Sequence, residues 1–120
     1  MTSEQLPASD LAARIGAQDT AMWLPMNTVS VTAAYSFAGR DKIVLADATG
    51  GAFTVTLPDA TLRKNQQPIT VKRMNGGGNA VTIGSAAGTI DGAATTSLAA
   101  QYATKSFVSD GSVWVVVASF

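Results

Sequence analysis

Four aspartates, one glycine run and a few basic residues are where this chain could do chemistry. Asp47, Asp59, Asp91 and Asp110 could pair as general acid and base, or gather around a calcium ion. Each stands beside Gly, Ala or Pro at a turn, where Asp serves by bonding its own backbone. The D-x-D spacing of a calcium loop is missing, and aromatic platforms for a sugar are few. Gly76-Gly77-Gly78 invites a phosphate-loop reading. That loop needs Lys-Ser/Thr and a helix N-terminus after its glycines, and here Asn79-Ala80-Val81-Thr82 reads as a strand. A hairpin tip between Ile69–Arg73 and Val81–Gly84 is the expectation. Arg63-Lys64 and Lys72-Arg73 read either as a solvated loop and strand face or as a patch for an acidic partner. Lys105-Ser106 cannot act as a dyad, because neighbours on a strand point to opposite faces. Cysteine and histidine are absent, which removes thiolate nucleophiles, imidazole bases and their metal sites. No enzyme constellation remains, and no cofactor or metal is expected.

The elements carrying these residues are short strands punctuated by glycine. Phe53-Thr54-Val55-Thr56-Leu57, Ile69-Thr70-Val71-Lys72-Arg73, Val81-Thr82-Ile83 and Val113-Trp114-Val115-Val116 have the β-branched content of pleated strands. Asp110-Gly111 lies between Lys105–Val108 and Val113–Ala118 and signals a hairpin. Thr28–Phe37 alternates strictly, with Val29, Val31, Ala33, Tyr35 and Phe37 on one side, and predicts one half-buried strand. Turn cues every eight to twelve residues predict an all-β domain, a compact antiparallel sandwich or barrel-like knob over residues 28–120.

Residues 1–27 differ in character and are expected to form a short N-terminal arm. Ser9–Gly16 could make a helical turn or two, too short to hold without a partner surface. Ala21-Met22-Trp23-Leu24-Pro25-Met26 then places bulky apolar residues without alternation. They either fold back on the β core or anchor the chain to another protein.

The chain has 120 residues, eight basic and eight acidic, and is 47% hydrophobic, much of it alanine. One domain of this size, poor in bulky side chains, is expected to gain core by self-association. The absence of a net basic footprint argues against a nucleic-acid partner. No run is long enough to span a bilayer, and the N-terminus lacks the pattern of a secretory leader, so synthesis in the cytoplasm is expected.

The succession Thr49-Gly50-Gly51-Ala52-Phe53-Thr54-Val55-Thr56-Leu57-Pro58, Ile69-Thr70-Val71-Lys72, Asn79-Ala80-Val81-Thr82-Ile83, Thr89-Ile90-Asp91-Gly92 and Asp110-Gly111-Ser112-Val113-Trp114 resembles a β-knob module of tailed-bacteriophage virion proteins. That module occurs in capsid decoration (cement) proteins, head fibres and tail-fibre tips, and the resemblance spans Lys42 to Phe120. It implies an all-β knob that trimerises, with a structural or adhesive role and no catalytic residues. The long repetitive fibre shaft is missing, so the short arm and single knob suit a capsid decoration protein on the exterior of the virion. The implied partners are two further copies of the chain and the major capsid protein. Trp23, Leu24 and Met26 would anchor to the capsid, and Trp114, Val116 and Phe120 would fill the knob or trimer interior. The alternative is an adhesive fibre tip that binds a host receptor or glycan. A small hydrolase acting through Asp91 or Asp110 ranks last.

Overall fold

The computed structural model describes residues 27–39 and 41–120, and nine strands lie within them. They are β1 (Asn27–Val31), β2 (Tyr35–Ser36), β3 (Asp41–Ala46), β4 (Phe53–Leu57), β5 (Ile69–Arg73), β6 (Val81–Ser85), β7 (Thr96–Leu98), β8 (Thr104–Ser109) and β9 (Trp114–Ser119). A single 3-10 turn, Ala60–Leu62, interrupts the loop before β5. The all-β class read from the sequence is the observed one. Ser9–Gly16, Trp23, Leu24 and Met26 lie outside the described residues.

Two sheets face each other, a five-stranded one ordered β1-β3-β5-β8-β9 and a four-stranded one ordered β2-β4-β6-β7. Up to β6 the chain alternates between them, so that each strand lands parallel to the one two places earlier. β1–β2, β3–β4 and β5–β6 are therefore three stacked coils, each crossing from one sheet to the other. A parallel pair needs a crossover, and here the opposite sheet supplies it in place of a helix. After β6 the direction reverses. β7 runs antiparallel to β6, β8 to β5 and β9 to β8, closing the stack with a cap of the opposite polarity.

The pairing is thus mixed, where antiparallel pairing throughout was expected. The Asp110-Gly111 hairpin between β8 and β9 is present. The Asn75–Asn79 hairpin is not, because β5 pairs with β3 and β8 while β6 pairs with β4 and β7. Alternation cannot reveal this difference, since side chains point in and out with the same period in either pairing. The strand over Thr28–Phe37 is also broken in two. Its alternation survives, with Val29, Val31 and Tyr35 more shielded than their neighbours and Phe37 buried, but the chain turns a corner at Thr32–Ala34 and changes sheet.

Side chains from both sheets fill the space between them. Val44, Ala46, Ile69, Val71, Phe107 and Trp114 enter from the five-stranded sheet, and Val55, Leu57, Val81, Ile83 and Leu98 from the other. Phe37 and Ile90 close the ends. The alanines at Ala48 and Ala60 are fully buried at corners.

Candidate functional site

Three of the four turn aspartates spend their carboxylates on the next few residues. Asp47 accepts from the Thr49 amide and hydroxyl at 2.9 and 2.6 Å, and Asp59 does the same with Thr61 at 2.9 and 2.7 Å. Asp110 accepts from the Ser112 and Val113 amides at 2.8 and 2.9 Å, which sets the β8–β9 turn. The Thr49 and Thr61 hydroxyls, helped by their amides, hold Asp47 and Asp59 below the ordinary carboxylate value. Asp110 is held low by the Val113 and Ser112 amides and, to a lesser degree, by Lys64. A carboxyl stabilised as its anion is a poor proton donor at neutral pH, so these groups are suited to fixing turns rather than to acid catalysis.

Asp91 acts over a longer range. It sits at a φ of 50°, and its Oδ1 accepts from the Val116 amide at 3.0 Å. Its own amide bonds Trp114 O at 3.0 Å, while Trp114 N donates to Thr89 O at 2.8 Å. The Thr89–Asp91 segment is thereby stitched along β9. Among the described residues no three acidic side chains converge as a metal site would require.

Asp41 is a carboxylate that the sequence did not single out. It is buried, and its Oδ2 accepts from the Tyr35 hydroxyl and from the Ala38 amide, the latter at 2.8 Å. The bond to Asp41, followed by burial and the charge of the same carboxylate, raises the Tyr35 hydroxyl above its ordinary value. Tyr35 on one sheet and Asp41 on the other are thus tied across the corner between β2 and β3.

The densest polar cluster lies where the third coil meets the cap. Ile69, Val71 and Arg73 share the inner face of β5, and Arg73 is only 1% exposed. Its guanidinium donates to three backbone carbonyls: Nε to Asn75 O at 3.1 Å, Nη1 to Leu98 O at 3.3 Å, and Nη2 to Gly77 O at 2.7 Å. Arg73 N bonds Ala103 O at 2.9 Å, and Tyr102 N bonds Arg73 O at 2.7 Å. One residue therefore links the β5–β6 corner to the β7–β8 corner. Asn75 continues the stack, accepting from Ala48 N at 2.8 Å and donating to the Gly76 and Asn79 carbonyls, each at 3.0 Å. Asn79 then reaches Ala48 O at 2.9 Å. The glycines of Gly76–Gly78 give this corner its path and lead into β6 with no helix behind them.

The Lys72-Arg73 doublet separates by facing. Lys72 points outward over the Tyr102 ring at 5.4 Å, while Arg73 points inward. These two therefore share neither one solvated face nor one patch. The i, i+2, i+4 spacing from Ile69 to Arg73 was the available signal. Lys105 and Ser106 also diverge: Lys105 Nζ reaches Thr96 Oγ1 on the other sheet, and Ser106 Oγ meets Thr70 Oγ1 at 2.8 Å.

Of the residues assigned to the knob or trimer interior, Trp114 is 2% exposed and donates Nε1–H to Pro58 O at 2.8 Å. Val116 is half-buried against the core. Phe120 is 83% exposed and takes no part in the core of its own chain. No protein-family model and no curated protein sequence matches this chain.

Proposed function

We propose that this protein is a non-catalytic structural component of a phage virion, a capsid decoration protein that binds the major capsid shell as a homotrimer. The observation that carries the reading is how the polar groups are used. The turn carboxylates, Asp41, Arg73, Asn75 and Asn79 all fix corners of the stack, which leaves a rigid knob with apolar side chains such as Phe120 and Val117 facing solvent. Rigidity with an exposed apolar surface suits a protein that works by being held in place. The phage assignment itself rests on the strand-and-turn succession from Lys42 to Phe120.

The test is to image particles carrying the protein and to remove residues 1–27, including Trp23, Leu24 and Met26. Density across the head that disappears with the arm supports the reading. A truncated protein that decorates heads as well as the full chain would sink the anchoring role. Density confined to the tail would favour the adhesive tip.

A further inference from the structure

The outer faces of the two sheets have different chemistry. On the four-stranded sheet the outward positions Thr54, Thr56, Thr82 and Ser97 carry only hydroxyls, and Gly84 carries no side chain. On the five-stranded sheet the outward positions include Ile43, Leu45, Val108, Val115 and Ala118, all half-buried. Phe120 joins them. Its amide and carbonyl both bond Thr104, the bonds being 2.8 and 3.2 Å, so it extends the row that runs through Leu45, Lys72 and Thr104.

We propose that this outer face is where copies of the chain meet. The proposal rests on the homotrimer reading above and gives it a surface. Within the face Thr70 and Ser106 bond each other and the Thr104 hydroxyl donates to Tyr102 O, while the Lys72 ammonium lies over the Tyr102 ring and the exposed Thr28 and Ser30 stand on β1 at its edge. Closing the centre of the face against an apolar surface therefore strands few donors other than the Lys72 ammonium. The one carboxylate in these strands, Asp41, is buried against Tyr35, so like surfaces brought together around a symmetry axis meet without carboxylate repulsion, each bringing a single Lys72 ammonium set over the Tyr102 ring. Five strands about 4.8 Å apart and five to six residues long give a footprint of roughly 400 Å². That is about half of the roughly 800 Å² per partner of a standard interface, so the exposed Phe120 and the Val117 edge of β9 must extend the contact.

The experiment measures the mass in solution of the full-length protein and of two variants, L45K on this face and T54K on the hydroxyl face. The expected result is a wild type of about three times the 12.2 kDa chain mass, L45K at single-chain mass with an unchanged circular dichroism spectrum, and T54K still assembled. A multimer that survives L45K but falls apart with T54K overturns the surface and leaves the trimer standing. A wild type at single-chain mass overturns both.

Because the chain has no cysteine, A118C and T82C provide a second readout that does not depend on tolerating a lysine. In the assembled protein A118C should react with a thiol reagent at least about tenfold more slowly than T82C, with the gap closing on dilution as mass action dissociates the copies. Equal rates in the assembled protein overturn the surface. Protection of A118C at single-chain mass does so too, since another part of the same chain would then be covering it.

Discussion

Replacing Arg73 with methionine should destabilise the fold by about 3 kcal/mol. The side chain is buried, and three carbonyls from two corners converge on it. A carbonyl left without its donor costs about 1–3 kcal/mol, so three would cost roughly 3–9 kcal/mol. Removing the cation also relieves its own desolvation, an effective penalty of several kcal/mol, and the difference is close to 3 kcal/mol. Methionine fills similar volume, so the loss reports the unpaired carbonyls of Asn75, Gly77 and Leu98 rather than a cavity. Arg73→Lys keeps the charge but not the planar fork, and should fall between the two. Urea unfolding followed by Trp114 fluorescence in a Trp23→Phe background, at one protein concentration, reads the effect. A Tm lower by about 12 °C or more should accompany it. An Arg73→Met midpoint within about 1 kcal/mol of wild type at unchanged m would refute the idea that this guanidinium pins the cap to the coils.

Two glycines should differ in a way that separates strain from contact. Gly88 has a φ of +91°, and an added Cβ would lie 2.7 Å from Ser112 O, so Gly88→Ala should lower stability by about 2–4 kcal/mol. Gly111 has a φ of +100°, but its added Cβ would meet the flexible Lys64 side chain at 2.8 Å, so Gly111→Ala should cost only about 1–2 kcal/mol, and equal shifts in urea midpoint would contradict the geometry. Asp47, Asp59 and Asp110 have depressed values in the fold, so their contribution is present above the ordinary 3.8 and is lost as pH falls through the depressed values. Unfolding midpoints should therefore drop on acidification below about pH 4, and Asp59→Asn should flatten part of that limb. Tyr35 has the opposite sign: its raised value gives a contribution fully present below the ordinary 10.0 and lost as pH rises through the folded value. Tyr35→Phe should remove that alkaline loss, and an unchanged alkaline limb would disprove the Tyr35–Asp41 link. Trp114→Phe deletes the bond to Pro58 O and leaves a void, with an expected loss of about 2–3 kcal/mol in urea unfolding.

Local features were legible wherever the deciding physics was local. The strands around Val55, Val71, Ile83 and Trp114 were visible in their β-branched runs, and the Asp110-Gly111 turn in its residue types. The turn roles of Asp47, Asp59 and Asp110 followed from bonds that reach only two or three residues along the chain. Asp41 was missed because its partner hydroxyl comes from Tyr35, six residues away across a corner. Arg73 was legible in principle. Its alternation with Ile69 and Val71 placed it inside, and the adjacent Lys72 drew the reading toward a surface doublet.

The sequence by itself determined that the described chain would be all β and where most of its turns would fall, though not the corner at Thr32–Ala34 or the inward face of Arg73. Strand period and turn chemistry are properties of neighbouring residues, so no distant contact is needed to set them. Only the tertiary structure decided which strands would pair. Asn75–Asn79 has the composition of a hairpin loop, yet its asparagines bond Ala48 on the preceding coil, and this carries the chain from one sheet to the other. The same alternation serves a parallel coil or an antiparallel hairpin equally well. Bonds from Arg73, Asn75 and Asn79 to carbonyls and amides as far as thirty-one residues away fix the first over the second.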